Sequence, residues 1–103
     1  METLFETGLE ASAKQLRERV GTSKVYLCID VDVFDPSVAP GAAMPVWGGL
    51  SAREGLTLLR GFSGLDIVGC DINTTAPPVD PHEQTSFLAA RLALECLYLL
   101  CES

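Results

Sequence analysis

Two apolar runs of strand length do most to limit what this chain can fold into. Lys24-Val-Tyr-Leu-Cys-Ile-Asp-Val and Leu65-Asp-Ile-Val-Gly-Cys-Asp-Ile are nearly continuous in apolar and β-prone residues. A strand with one wet face alternates polar and apolar positions, whereas a continuous run suits a strand covered on both faces, as in a parallel sheet. Helical patterns fall before, between and after the two runs. Leu9, Ala13, Leu16 and Val20 recur at spacings of three to four among charged residues, which predicts an amphipathic helix over about Leu9 to Val20 with Gly21 as its stop. Ser51, with Glu54 three residues on, has the form of a capping box, and the helix it opens should end at Gly61. Thr85 to Leu100 is apolar nearly all round, so a last, well-buried helix is expected there.

Helix, strand, loop, helix, strand, loop, helix is the rhythm of α/β units around a parallel sheet. A long irregular segment from Asp32 to about Gly49 and a proline-rich loop from Thr74 to Pro81 join the units. No repeat, low-complexity tract or linker interrupts residues 1–103, which read as one unit without an internal boundary. Two strands alone leave both sheet edges open, so the chain reads as part of something larger, prone to aggregate, self-associate or stay partly molten by itself.

Charge narrows the function. Seven Lys and Arg against fourteen Asp and Glu give a net charge of −7, which disfavours phosphate-neutralising roles on nucleic acid or an anionic membrane. No apolar stretch is expected to span a bilayer and no signal peptide opens the chain, so a cytoplasmic protein is expected. Cys28, Cys70, Cys96 and Cys101 sit within apolar stretches and never as Cys-x-x-Cys, which argues for four buried, reduced thiols over a zinc or redox site. With one His in the chain, no His-rich metal site can be built internally.

The chemistry concentrates after the first run. In an extended strand alternate side chains point the same way, so Asp30 and Asp32 are expected to project to one face, about 6.6 Å apart along the chain. They stand where open α/β sheets place their ligands, at the C-terminal end of a parallel strand. Paired carboxylates repel unless a cation or a proton sits between them, and hard divalent ions such as Mn²⁺ or Mg²⁺ suit such oxygen donors. The plainer alternative leaves one Asp capping the next turn and the other solvated.

The stretch Val25-Tyr-Leu-Cys-Ile-Asp-Val-Asp-Val-Phe-Asp-Pro-Ser-Val-Ala-Pro-Gly, followed by Pro45 and Gly48-Gly-Leu-Ser, resembles the ureohydrolase family of arginases, agmatinases and formiminoglutamases. Val68-Gly-Cys-Asp, then Pro77-Pro-x-Asp80, then Thr85 and an Ala-containing last helix extend the resemblance from about Leu9 to Leu100. It implies a three-layer α/β/α parallel-sheet fold, of which this would be the C-terminal portion, in a parent that assembles as a trimer or hexamer. It also implies two Mn²⁺ per complete site, holding a bridging hydroxide that attacks a guanidino or amidine carbon and releases urea and an amine. Agmatinase is the form it most suggests. By motif, Asp30 and Asp32 become metal ligands, with Asp30 the expected bridge. Asp35 is expected to shape the turn at Pro36, and Asp71 to support the site by hydrogen bonding.

The departures matter too. The family's upstream His and Asp-x-His-x-Asp motifs do not occur here, so the chain resembles an incomplete enzyme, inactive alone. Ala42-Ala-Met replaces Thr-Gly-Thr between the prolines. Thr74 stands where a Glu would pair with the substrate guanidinium; a hydroxyl accepts one hydrogen bond but neutralises no buried cation. A non-catalytic remnant or partner subunit is therefore the competing expectation. His82 as a proton shuttle and Trp47 as an entrance residue are weaker candidates, and a Mg²⁺ phosphotransfer domain leaves the Pro-Gly and Pro-Pro-x-Asp segments unexplained.

Overall fold

The computed structural model describes residues 2–102. A short helix, α1 (Glu2–Thr7), leads into α2 (Leu9–Val20), and then come β1 (Lys24–Asp30), α3 (Ala52–Arg60), β2 (Asp66–Asn73) and α4 (Gln84–Glu102). The strands pair in parallel, with α3 as the crossover between them. Ser51 opens α3 with both halves of a capping box: its hydroxyl accepts from the Glu54 amide, and the Glu54 carboxylate accepts from the Ser51 amide.

Register decides which residues face which layer. Val25 lies opposite Ile67 but Tyr26 lies opposite Gly69, so Val68 is an extra residue in β2, a bulge. Beyond it Leu27 and Ile29 align with Cys70 and Ile72 and turn toward the core, while Tyr26, Cys28 and Asp30 align with Gly69, Asp71 and Asn73. The core joins Ile67 to Leu59 of α3, to Leu92, Cys96 and Leu99 of α4, and to Val31, Phe34 and Leu50 of the long loop. Phe34 lies over α3 at Gly55, where any Cβ would stand 2.2 Å from the ring, so only glycine fits.

Coverage of the sheet differs from expectation. α4 packs on β2, α3 against α4 and α2 against α3, and within these residues the opposite sheet face stays open, leaving Tyr26 61% exposed. The last helix is half buried, not buried all round. Leu92, Cys96 and Leu99 point inward, while Phe87, Leu94, Leu97 and Tyr98 are exposed. Of the thiols only Cys96 is buried; Cys28 and Cys101 are exposed, because Cys28 falls on the open sheet face and Cys101 near the chain end. All four are free. By length and composition Pro81–Glu102 could cross a membrane, which corrects the expectation that no stretch is long enough. Its middle is not that of a lipid-facing span: the buried Glu95 carboxylate pairs with Arg60 of α3 at 2.8 Å and with Arg91 at 3.1 Å.

Candidate active site

β1 ends at Asp30, and a 3₁₀ turn, Val31–Val33, follows at once. Asp32 therefore lies in a turn, not in continuing strand, and the alternation that would set it beside Asp30 does not apply. What the two carboxylates share is a half-open cavity of about 440 Å³ beyond the strand end. Leu27, Phe34, Leu58 and Phe62 give it apolar walls, and Asp30 and Asp32 are its charged lining groups. A carboxylate beside apolar walls interacts more strongly with a cation than the same group in open water.

The loop after the turn is organised by Asp35. One carboxylate oxygen accepts from the Ser37 hydroxyl at 2.7 Å and the Ser37 amide at 3.0 Å; the other accepts from the Gly48 amide at 3.0 Å. These bonds, that from the Ser37 hydroxyl foremost, hold the Asp35 carboxyl below the usual range. Phe34 and Leu50 pair in between, so both ends of the long loop are tied beside the strand end.

Asp71 lies on the open sheet face, opposite Cys28. Its carboxylate accepts from the Tyr26 hydroxyl at 3.0 Å and from the Asn73 side-chain amide. The same Asn73 nitrogen reaches the Cys28 sulfur at 3.4 Å, and that sulfur lies 4.0 Å from an Asp30 carboxylate oxygen. A hydrogen bond with Asp71 and desolvation push the Cys28 thiol up, against a smaller opposing effect of Asn73. Tyr26 and Cys28 lie within the stretch that carries the resemblance, and Cys28 is one of the four thiols, but neither they nor Asn73 is marked by the sequence as part of a site. The signal that could have found them is register, since Cys28 lies opposite Asp71 and Asp30 opposite Asn73.

Thr74 follows β2 with φ 69°, a left-handed conformation that is unusual for a β-branched residue. Its hydroxyl donates to the Asn73 carbonyl at 2.6 Å, and its own carbonyl accepts from the Ala43 amide at 2.7 Å. Thr74 thus sits against the Pro-Gly loop and is not among the residues lining the cavity with Asp30 and Asp32. Asp80 was read only as part of a motif. Its carboxylate accepts from the Thr85 and Ser86 amides at 2.8 and 2.9 Å and from the Ser86 hydroxyl at 2.8 Å, capping the start of α4. Trp47 is 79% exposed and His82 is exposed on the turn before α4. Among the described residues no group of three or more His, Cys, Asp or Glu side chains is placed to hold a metal ion.

Comparison with known proteins adds a family. A sequence model of the Arginase family matches residues 1–99. An agmatinase of Neisseria meningitidis is 46% identical over 94 residues, which is 91% of this chain and 31% of that protein. A guanidinopropionase of Pseudomonas aeruginosa is 41% identical over 103 residues, all of this chain and 32% of that one. Among solved structures, the proclavaminate amidino hydrolase of Streptomyces clavuligerus superposes with a TM-score of 0.94 at 40% identity, over 98% of this chain and 34% of its own. The chain thus spans about a third of the length of the relatives it matches.

Proposed function

The chain belongs to the arginase family, and on that footing we propose that it serves Mn²⁺-dependent, agmatinase-like hydrolysis of a linear guanidino compound, releasing urea and an amine. The observation that carries this reading is the pair Asp30 and Asp32 at the C-terminal end of a parallel strand, on one largely apolar cavity. In kind these donors fit Mn²⁺, a hard ion that prefers oxygen. In number they fall short of a cage, so further donors must join them. When bound, Mn²⁺ supplies a water acidic enough to act as a nucleophile near neutral pH.

The chain's own residues have separable parts. Asp30 and Asp32 hold the cation. Asp35, bonded on both oxygens within the loop, keeps the segment after the strand in place. Thr74 has committed its hydroxyl proton to Asn73, so its lone pairs remain to accept from a guanidinium N–H. The apolar cavity walls keep water from competing with the cation contacts of Asp30 and Asp32. We place the reaction in the cytoplasm, where four free thiols stay reduced, and in an oligomer of the trimer or hexamer kind.

A second reading, a non-catalytic scaffold or partner subunit, is favoured by Thr74 at the place of the guanidinium-pairing Glu and by the two-donor set. Equilibrium dialysis against Mn²⁺ of the chain joined to a segment that supplies the further donors separates the two. Binding that weakens at least about tenfold in both Asp30→Asn and Asp32→Asn supports the hydrolase reading. No bound Mn²⁺ at millimolar excess favours the scaffold.

A further inference from the structure

The outer face of α4 carries a second apolar repeat, separate from Leu92, Cys96 and Leu99, which face the core. Phe87, Ala90, Leu94, Leu97 and Cys101 follow one another at spacings of three, four, three and four, and all five are exposed. This spacing keeps one stripe of a helix turned toward a neighbouring helix, here for about 21 Å. No charged side chain lies on the stripe. Glu95 is turned inward to Arg60 and Arg91, and Arg91 borders the stripe with its side chain half exposed. The order of sizes along the stripe says what covers it. Counted from Leu94, the large Phe87 stands seven residues before and the small Cys101 seven after. The small Ala90 stands four before and the large Leu97 three after, with Arg91 and Tyr98 on the opposite border. We propose that this stripe packs against the same stripe of a second copy, antiparallel, about a two-fold axis at Leu94. That axis sets Leu94 on Leu94, Phe87 over Cys101, Ala90 under Leu97 and Arg91 across the Tyr98 ring. Large side chains then meet small ones, a guanidinium meets an aromatic face, and the two helix dipoles oppose. A parallel pair stacks Phe87 on Phe87 and leaves a gap between two Ala90 residues. An unrelated covering layer gives no reason for the sizes to reverse about a midpoint. Phe87, Leu94, Leu97 and Tyr98 leave roughly 450 Å² uncovered on each copy. With Ala90, Arg91 and Cys101 added, a pair covers on the order of 1,200 Å², where specific interfaces begin.

The test is sedimentation of the full chain over the micromolar range, with hydrogen exchange in Lys24–Asp30 and Asp66–Asn73 as a folding control. Wild type is expected to show a monomer–dimer equilibrium. Leu94→Glu and Leu94→Lys should each raise the dissociation constant at least about tenfold, because each sets two like charges together on the axis. An equimolar mixture of the two variants should dimerise again, to within about threefold of wild type, because opposite charges then meet. Direction is read with dibromobimane, which bridges two neighbouring thiols. In Phe87→Cys on a Cys28→Ser background it should join Cys101 of one copy to the new thiol of the other. Within one copy those two positions stand about 21 Å apart on the helix, too far to be bridged. Bridges only between like positions would overturn the antiparallel arrangement. Association that neither Leu94 variant weakens would place the contact on the open sheet face and overturn the proposal. So would a mixture that stays monomeric. A wild-type monomer that instead cosediments with phosphatidylcholine vesicles would overturn it in favour of a lipid surface.

Discussion

Gly41 and Asp80 are pressed together so closely that a Cβ on residue 41 would stand 2.5 Å from the Asp80 Cβ. Around this contact the Gly41 amide donates to the buried Thr85 hydroxyl at 2.7 Å, and the Gly41 carbonyl accepts from the Ala76 amide at 2.6 Å. Three segments far apart in sequence, the Pro-Gly loop, the Pro-Pro-x-Asp loop and the start of α4, meet at one backbone position. Gly41→Ala should therefore destabilise the chain by about 1–3 kcal/mol, the usual result of forcing atoms into a packed site. Urea unfolding followed by circular dichroism checks it, with the exposed Gly64→Ala as a comparison set by backbone strain at φ 95° and not by crowding.

Acid should unfold the protein through a few named carboxylates. Asp35 is held below the usual range by the Ser37 and Gly48 bonds, and Glu95 by its pairs with Arg60 and Arg91. At Asp80 burial works the other way, and the Thr85 and Ser86 bonds together outweigh it. Groups with depressed folded values bind more protons when unfolded, so stability rises with pH across their titration. Their contribution is present above about pH 4, near the unfolded values, and is lost as pH falls through the lower folded ones. The urea midpoint is expected to be lower at pH 3 than at pH 7, with the difference reduced in Glu95→Gln and in Asp80→Asn. A midpoint that does not change between those pH values would count against these carboxylates.

Asp32 and Asp35 are three residues apart and should respond differently to loss of charge. Asp32→Asn should lower Mn²⁺ affinity at least about tenfold with little change in loop protection. Asp35→Asn should retain most of the affinity but speed hydrogen exchange at the Ser37 and Gly48 amides, which its carboxylate now holds. Mn²⁺ dialysis and exchange mass spectrometry on the same two samples read both effects.

Tyr26, Val68, Phe87, Leu97 and Tyr98 are each more than half exposed, on the open sheet face, the bulge and the outer side of α4. So much large apolar surface favours association in water. Sedimentation at micromolar concentration should show self-associated species, shifted toward monomer by Tyr98→Lys together with Phe87→Lys. A monomer at all concentrations would contradict this.

Much of the fold was legible in short stretches. The 3.6-residue period bounded α2, the Ser51–Glu54 box opened α3, and two apolar runs marked both strands. α1 was missed because six residues with Leu4 and Phe5 adjacent carry too little periodicity to read. The burial of α4 was overestimated because composition says how apolar a helix is, not how many layers surround it. For the candidate site, the motif brought Asp30 and Asp32 to attention, but the period-two argument for their sharing a face assumed a strand that in fact stops at Asp30. The contact between Cys28 and Asn73 was invisible because it is set by strand register across 45 residues.

The most direct test is a chimera in which residues 9–100 of this chain replace the matching segment of the Neisseria meningitidis agmatinase. Urea release would then be measured with Mn²⁺ from agmatine, guanidinobutyrate and guanidinopropionate. Urea production from at least one of these compounds, abolished by Asp32→Asn, is the expected result. A folded, Mn²⁺-loaded chimera that releases no urea from any of them would contradict the hydrolase assignment and leave the non-catalytic reading.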